Sequence, residues 1–412
     1  MYKKIMLLIV AAAFLCCITG CSTQQTDAQM PQTAQTAVVS ETEEKQEQAT
    51  ADIKDENSLL NEEQTQLLYN FALCYAETLG DMQPSDFTGL FADEKGEESV
   101  LNQTAYTVLT TVRSISGKDL SLENAQVTYN IHFVTDYGNG ITVELTEDNV
   151  QKFRHLSGES FTCNIYHKFV ITETDNGWKI KSHLHEEDFF LMAEEAWDDT
   201  AGTDYANRAE DAVKLIVADA EENFILKTEN LNEYTETSVT KEYDREKAVE
   251  YAQQWYNKRN PEYLEYDLYG GNCQNFASQC VHAGGMDMDI KGNYTCQWKF
   301  YGKDLNLKQV ASGRSYSFIG VDEFYTYAVY NSTSGLVTQP DIDLKYAQKG
   351  DIIQVGAYGK WRHSLVVSDV LTDENGTQTE IILASNTADR WNYPMSAYIY
   401  TYPRLIHIDG QI

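Results

Sequence analysis

The sequence predicts an α+β protein in which two successive segments each place helices before antiparallel strands. The first segment, residues 58–232, opens with apolar residues at helical spacing and continues in runs that alternate apolar and polar residues. The second segment, residues 240–412, repeats this order, with a helical pattern near its start and period-two runs towards its end. Turn signals such as residues 175–177 separate successive runs, as β-hairpins require. We therefore expect two domains, one per segment.

Composition narrows the functional class. The chain has 412 residues, of which 42% are hydrophobic, so a sizeable core can form. It carries 31 Lys and Arg against 63 Asp and Glu, a formal net charge of -32. Such an acidic surface repels phosphate groups, which excludes nucleic acid as a partner. It also excludes adhesion to anionic lipid through basic residues, so a membrane attachment requires another device.

The first 57 residues predict a leader and a tether. Two lysines precede an apolar run, residues 5–15, that is too short to span a bilayer. The run ends in Ile18-Thr19-Gly20-Cys21, which resembles the lipobox of bacterial lipoproteins. That resemblance implies a signal peptide over residues 1–21, lipidation of Cys21 and attachment to the extracytoplasmic face of the cell membrane through lipid alone. The alternative is an ordinary signal peptide in which Cys21 is incidental. Residues 22–57 have few large apolar side chains, which predicts a disordered tether.

The accessory segment, residues 58–232, reads as helices followed by a curved antiparallel sheet. Leu60, Leu67, Phe71 and Tyr75 share one face of a helix, and a second helical stretch follows near residues 106–112. Strand patterns follow over residues 125–134, 140–145, 161–174 and 177–184. This order, helix first and then a curved antiparallel sheet, resembles the cone-shaped domains of the nuclear-transport-factor type.

Two histidines of this segment suggest a metal site that the sequence does not complete. His183 and His185 are two residues apart on a strand and therefore share a face, with Glu186 and Glu187 beside them. A third ligand at suitable spacing is not visible. The pattern therefore favours a solvated strand end, and we predict neither a metal nor an organic cofactor.

Cys273 is the candidate nucleophile of the second segment. Outside the leader there are five cysteines, an odd number that is consistent with one thiol kept free for chemistry. Gly270 and Gly271 precede Asn272 and Cys273, and a short helix follows over residues 274–283. The unpaired N–H groups of a helix N-terminus stabilise a thiolate and lower its pKa. The N–H of Cys273 is also a candidate half of an oxyanion hole.

The base must come from another element. His282 lies on the Cys273 helix, too far along it to reach the sulfur, and His407 is almost at the C-terminus. His363 begins a strongly apolar strand beside a turn, which makes it the best candidate. Asn386 or Asp389, after the next strand, would orient the imidazole, and Asn386 is favoured because papain-like enzymes use the order cysteine, histidine, asparagine.

A family resemblance joins these residues. Stretches 243–252, 259–261, 270–280 and 283–286, with Gly350-Asp351, His363-Ser364 and residues 392–398, resemble the bacterial putative amidase domain over about 170 residues. The resemblance implies a papain-like fold, related to the CHAP and NlpC-type peptidoglycan hydrolases, with Cys273 and His363 as the catalytic pair. In that family Asp usually precedes the cysteine and Thr follows it, where this chain has Asn272 and Gln274. Asn386 stands where the family usually has a histidine.

These observations predict a lipid-anchored, extracytoplasmic cysteine amidase or peptidase acting on peptidoglycan or envelope peptides. Cys273, His363 and Asn386 are its expected catalytic residues. We assign substrate contacts to Asn272 and Gln274, and also to Trp361, which lies two residues before His363. The alternative is a catalytically weak or inactive papain-like domain that binds the cell wall, which the departures from the family pattern favour.

Overall fold

The computed structural model describes residues 49–138, 140–229, 231–291, 297–300, 314–331 and 334–412, except for the side chains of residues 224–229. The expected signal peptide, the lipidation site Cys21 and residues 22–48 of the expected tether lie outside the described residues. Within the described part, no helix combines the length and the apolar composition needed to cross a membrane.

The first helix begins at a capping box supplied by the sequence. Asn61 precedes the first helix and accepts from the backbone N–H of Gln64 at 2.9 Å, while the Gln64 side chain accepts from the Asn61 N–H at 3.0 Å. The helices of the described residues are α1 Glu62–Asp81, α2 Glu97–Ile115, α3 Asp188–Asp198, α4 Tyr205–Glu229, α5 Arg245–Trp255, α6 Cys273–Ala283, α7 Tyr316–Ile319 and α8 Val321–Tyr330.

The strands of the described residues form one mixed sheet of twelve strands. They are β1 Ala49–Lys54, β2 Leu122–Asp136, β3 Ile141–Phe153, β4 Ser160–Thr174, β5 Gly177–His185, β6 Lys241–Glu242, β7 Leu336–Ile342, β8 Ile352–Ala357, β9 Lys360–Thr372, β10 Gln378–Ser385, β11 Asp389–Pro394 and β12 Tyr402–Gln411. The order is β1-β2-β3-β4-β11-β10-β9-β8-β12-β6, with β5 paired to β4 and β7 paired to β12. All pairings are antiparallel except that of β1 with β2.

The α+β class is confirmed, but the two predicted segments are joined by this sheet. Strand β11 of the second segment pairs with β4 of the first through Asp389 opposite Cys163 and Trp391 opposite Phe161. The described residues form one compact unit. The strands of the two segments are thus parts of one continuous sheet, because β4 and β11 each complete the other's backbone hydrogen bonds.

Two regions differ from the sequence expectations. Residues 49–54, assigned above to the disordered tether, form β1, because their backbone pairs with residues 125–130 of β2. Residues 286–346 are rich in aromatic side chains without a regular period, which predicts irregular structure, but they contain α7, α8 and β7. Both structures depend on partners far away in the chain, which local patterns do not reveal.

Candidate active site

The turn before Cys273 places the residue at the start of α6. Gly270 and Gly271 have φ angles of 104° and 108°, in the left-handed region that other residues rarely adopt. The Asn272 N–H then donates to Thr387 Oγ1 at 2.7 Å, which fixes the turn against the loop after β10. Cys273 is the first residue of α6 and is 5% exposed. Cys273 therefore lies at the start of a helix, as the sequence predicts.

Cys273 lies against the start of β9. The backbone N–H groups of Ser364 and Gln274 donate towards its sulfur and favour the thiolate. Burial has the larger effect, and it raises the pKa of the Cys273 thiol to about 11. In this conformation the sulfur is a protonated thiol at neutral pH, with donors already in place for a thiolate.

His363 is the residue directly before Ser364, so the fold brings the two predicted catalytic residues to adjoining elements. The His363 side chain is 5% exposed, and its Nε2 has no hydrogen-bond partner among the described residues. Burial, and then the positive charge of Arg390, lower the pKa of His363 to about 3. The imidazole is thus neutral at physiological pH, as a base must be before it accepts a proton.

Asn386, the expected third catalytic residue, makes its hydrogen bonds elsewhere. Its Oδ1 accepts from Asn272 Nδ2 at 2.9 Å. Its Nδ2 donates to the backbone carbonyls of Trp255 at 3.0 Å and Tyr256 at 2.5 Å, at the end of α5. Both amide hydrogens are used by these carbonyls, and the Asn386 side chain makes no hydrogen bond to His363.

Asp389, the other candidate for the third catalytic residue, also makes its hydrogen bonds elsewhere. Its carboxylate accepts from Asn164 Nδ2 at 2.9 Å and from Arg259 Nη1 at 3.1 Å, and it receives the Thr387 N–H at 2.9 Å. Burial raises the pKa of Asp389 to about 6, against the opposing effect of Arg259. The structure therefore places both candidates in the framework of the turn before Cys273.

The predicted substrate-contact residues have structural partners. Asn272 is 2% exposed, and its Oδ1 accepts from Asn275 Nδ2 at 2.8 Å. Gln274 is fully buried and its Oε1 accepts from Ser364 Oγ at 2.6 Å, which ties α6 to β9. Trp361 is half-buried, with the Arg404 guanidinium 3.8 Å from its ring centroid.

Helix α3 of the accessory segment lies beside this site and is attached to it by ion pairs. Glu187, which caps α3, binds Arg390 at 2.5 Å, and Asp188 lies 3.3 Å from the same guanidinium. Glu195 binds Lys360 Nζ at 2.6 Å and also pairs with Arg362, the residue before His363. The negative charge of Asp188 contributes to the raised pKa of Cys273. We call this set of ion pairs the α3 clamp.

Gly350 and Asp351 stabilise the packing of the strands and the helix around the site. Gly350 has a φ of 82°, and a Cβ there would meet the Tyr243 hydroxyl at 2.7 Å. Asp351 is fully buried and accepts from His407 Nδ1 at 2.7 Å and from Arg245 Nη1 at 2.8 Å. These contacts tie β8 to β12 and α5.

A surface pocket of about 490 Å³ lies at the opposite end of α6. Its walls are mostly aromatic or polar and are formed by Tyr251, Asn260, Glu262, Tyr263, His282, Ala283, Met288 and Phe300. His282 is nine residues beyond Cys273, which is about 14 Å along a helix axis. The pocket is therefore separate from the candidate nucleophile.

The expectation of a solvated strand end at His183 and His185 is wrong. The two are 5% and 0% exposed, and they lie inside the accessory segment next to His167, which is also fully buried. Their three ligand nitrogens lie within 4.8 Å of one another. His167, on the neighbouring strand β4, was not among the residues singled out from the sequence.

Comparison with known proteins gives a class of protein for the second segment. Residues 242–408 match the family described as the Putative amidase domain, which supports a hydrolase acting on amides. The uncharacterized protein YhbB of Bacillus subtilis (strain 168) is 29% identical over 224 residues, which cover 52% of this chain and 63% of that protein. The chain thus spans less than two thirds of this relative's length. No solved structure matches the chain.

Proposed function

We propose that this chain hydrolyses amide bonds with Cys273 as nucleophile and His363 as base. The observation that carries the proposal is the position of Cys273 at the first turn of α6, with the Ser364 N–H directed at its sulfur. His363, one residue before Ser364, offers a neutral ring whose Nε2 has no partner among the described residues. The match of residues 242–408 to an amidase family supports an amide as the substrate.

The reaction proceeds in two displacements. His363 accepts the thiol proton as the Cys273 sulfur attacks the carbonyl carbon, and the oxyanion is stabilised by N–H groups at the start of α6. His363 then gives the proton to the leaving nitrogen, the C–N bond breaks and a thioester forms. Water adds to the thioester with His363 again as base, and the acid product leaves as the thiol is restored.

The α3 clamp explains why the resting site is closed. Burial disfavours both the thiolate of Cys273 and the imidazolium of His363, as their shifted pKa values indicate. Entry of water or substrate would relax both shifts, because each charged form would then be solvated. We infer that α3, which the Glu195 ion pairs hold beside the start of β9, moves away during turnover.

The order of a helix-borne cysteine before a strand-borne histidine favours a papain-like arrangement. A lipidated Cys21 would place the chain on the extracytoplasmic face of the membrane, where peptidoglycan and envelope peptides are the available amides. We therefore infer that the substrates are amide bonds of peptidoglycan or envelope peptides.

Purified peptidoglycan and its stem peptides provide the test. The full chain, Cys273→Ala and the matched control Cys280→Ala, a second buried free cysteine on α6, are incubated with each substrate. Mass spectrometry then detects newly released amines. We expect release by the wild type and the control, and a loss of at least about a thousandfold in Cys273→Ala. Equal release by wild type and Cys273→Ala would refute the proposed nucleophile.

A binding module is the second candidate function. Arg390 faces His363 with a positive charge that opposes an imidazolium, and the Cys273 thiol has a raised pKa. A thiol-reactive probe at neutral pH separates the two candidates. If Cys273 reacts no faster than Cys280 even when peptidoglycan fragments are present, the binding module is favoured. Loss of fragment binding in Phe300→Ala would then place the ligand in the aromatic pocket.

A further inference from the structure

Three histidines meet inside the accessory segment. His167 lies on β4 directly opposite His185 of β5, and His183 lies opposite Phe169, so all three side chains share the interior face of the sheet. His167 and His185 are fully buried and His183 is 5% exposed. A cluster of buried imidazoles is unusual, because away from water the two nitrogens of each ring need hydrogen-bond or metal partners.

A buried carboxylate lies beside His167. Glu147 of β3 is fully buried, and its Oε2 lies 3.1 Å from His167 Nε2. Its other oxygen accepts from Asn149 Nδ2 at 2.8 Å, and Asn149 Oδ1 accepts from Gln151 Nε2 at 2.9 Å. These amides lie on the same strand face and hold the carboxylate with one oxygen directed towards the histidines.

An outer hydrogen bond orients His183. Its Nδ1 lies 2.6 Å from Asn102 Oδ1, an acceptor, so Nδ1 carries the proton and Nε2 presents a lone pair. That Nε2 points to His167 Nδ1 at 2.9 Å. Metal-binding histidines are typically held in this way, with one ring nitrogen bonded to a carbonyl or carboxylate and the other free to coordinate.

Hydrogen bonds within the protein leave part of the cluster unsatisfied. His167 Nε2 and Glu147 Oε2 are close to each other, yet both are buried without a hydrogen-bond partner among the described residues. Both nitrogens of His185 are in the same situation. Burying a polar atom without a partner is unfavourable, so this arrangement favours a further partner.

We propose that His167, His183 and His185 together bind one divalent transition-metal ion of the zinc class, with Glu147 holding the His167 ring from its other nitrogen. Three imidazole nitrogens are a donor set that Zn²⁺ accepts in tetrahedral geometry together with one further ligand. Bonds of 2.0–2.1 Å place tetrahedral ligand atoms about 3.3 Å apart. The histidine nitrogens already lie within 4.8 Å of one another, so rotation of side chains is enough to reach that spacing.

The surroundings favour a structural role for the ion. All three histidines are buried, and the cluster is enclosed by apolar rings, with Phe71 4.8 Å from the His183 ring and Phe189 5.1 Å from the His185 ring. The ion would cross-link β4 and β5. This inference does not depend on the proposed hydrolase, since no ligand of the cluster belongs to residues 242–408.

Metal content of the full chain tests the site. The wild type, His185→Gln, Glu147→Gln and the control His132→Gln, an exposed histidine on β2 of the same sheet, are purified without chelator from zinc-supplemented medium. Elemental analysis should find about one zinc ion per chain in the wild type and control, and a clear loss in both cluster variants. Cobalt added to the metal-free wild type should give the visible absorption of tetrahedral Co²⁺.

A second measurement protects against variants that fail to fold. Thermal unfolding of the wild type should shift to higher temperature with added zinc and fall with a chelator, because a ligand that binds only the folded state stabilises it. A wild type that takes up neither zinc nor cobalt stoichiometrically, and whose Tm does not respond to chelator, would overturn the proposal. The cluster would then be a metal-free polar network.

Discussion

Asn272 donates a hydrogen bond from Nδ2 to Asn386 Oδ1 at 2.9 Å, which joins the residue before the candidate nucleophile to the residue expected to orient the candidate base. Both side chains are almost fully buried. The same Asn386 amide holds the carbonyls at the end of α5. Asn386 therefore contributes to the site by positioning the turn that carries Cys273.

This relationship predicts coupled effects on stability. Asn386→Ala should lower the free energy of unfolding by about 1–3 kcal/mol, because it leaves the buried Asn272 amide unpaired. Asn272→Ala in the same background should cost much less than it does alone, with a coupling of about 1 kcal/mol. Urea unfolding of both single variants and the double variant measures this. A role in orienting His363 would give the opposite pattern, a large loss of rate with unchanged stability and no coupling.

The α3 clamp predicts that access to Cys273 depends on Glu195. Its ion pairs with Lys360 and Arg362 attach α3 to the start of β9. Partly exposed pairs contribute about 1 kcal/mol, so Glu195→Gln should raise the population of an open site, and the alkylation rate of Cys273, about threefold to fivefold. Glu210→Gln is the matched control, because it removes an exposed pair with Lys214 on α4. Equal alkylation rates in both variants would contradict the clamp.

Local signals predicted the parts of the site that neighbouring residues determine. The two glycines before Cys273 and the apolar pattern of α6 lie within about a dozen residues, and the structure has both features where they were expected. The partner of Asn386 is 114 residues away from it, and no periodicity reveals such a contact. The pairing of β4 with β11 was hidden for the same reason, since residues 161–163 meet residues 389–391.

The position of His167 depends on one register shift between β4 and β5, which the sequence does not reveal. Thr174 pairs with Gly177 at the β4–β5 turn, and an unbroken ladder from that pair would place His167 opposite Leu184, on the other face from His183 and His185. A register shift between Val170 and Ile171 moves the pairing by one residue and places His167 opposite His185. The pattern of residue types does not encode this bulge, so the third histidine could not be assigned to the cluster beforehand.

Arg390 predicts a large loss of stability when its charge is removed. The side chain is buried against Glu187, which is itself 3% exposed. Arg390→Gln leaves a buried carboxylate without its partner and should cost about 3–5 kcal/mol in chemical unfolding. The double variant Arg390→Met with Glu187→Leu should recover much of this loss, because it removes both charges. A double variant as unstable as Arg390→Gln would show that packing, and not charge compensation, is the main contribution.

His407 predicts a pH dependence of stability. Burial alone would lower its pKa, but hydrogen bonds to Asp351 and Asp409 outweigh burial and raise the pKa to about 9. The folded value lies above the ordinary value near 6.5, so the folded state binds the proton more tightly than the unfolded state does. This stabilisation is fully present below about pH 6.5 and is lost as the pH rises through about 9. A shift of this size corresponds to about 3 kcal/mol.

The measurement is urea unfolding of the wild type and His407→Gln at pH values from 6 to 10. The difference between the two in free energy of unfolding should shrink by about 3 kcal/mol across that range, with most of the change between pH 7 and 9. The exposed His132→Gln on β2 should keep the wild-type slope. If His407→Gln also kept the wild-type pH dependence, the ion pair with His407 would contribute little. Asp351 would then be stabilised chiefly by Arg245 and the Ile408 N–H, which it contacts at 2.8 and 3.1 Å.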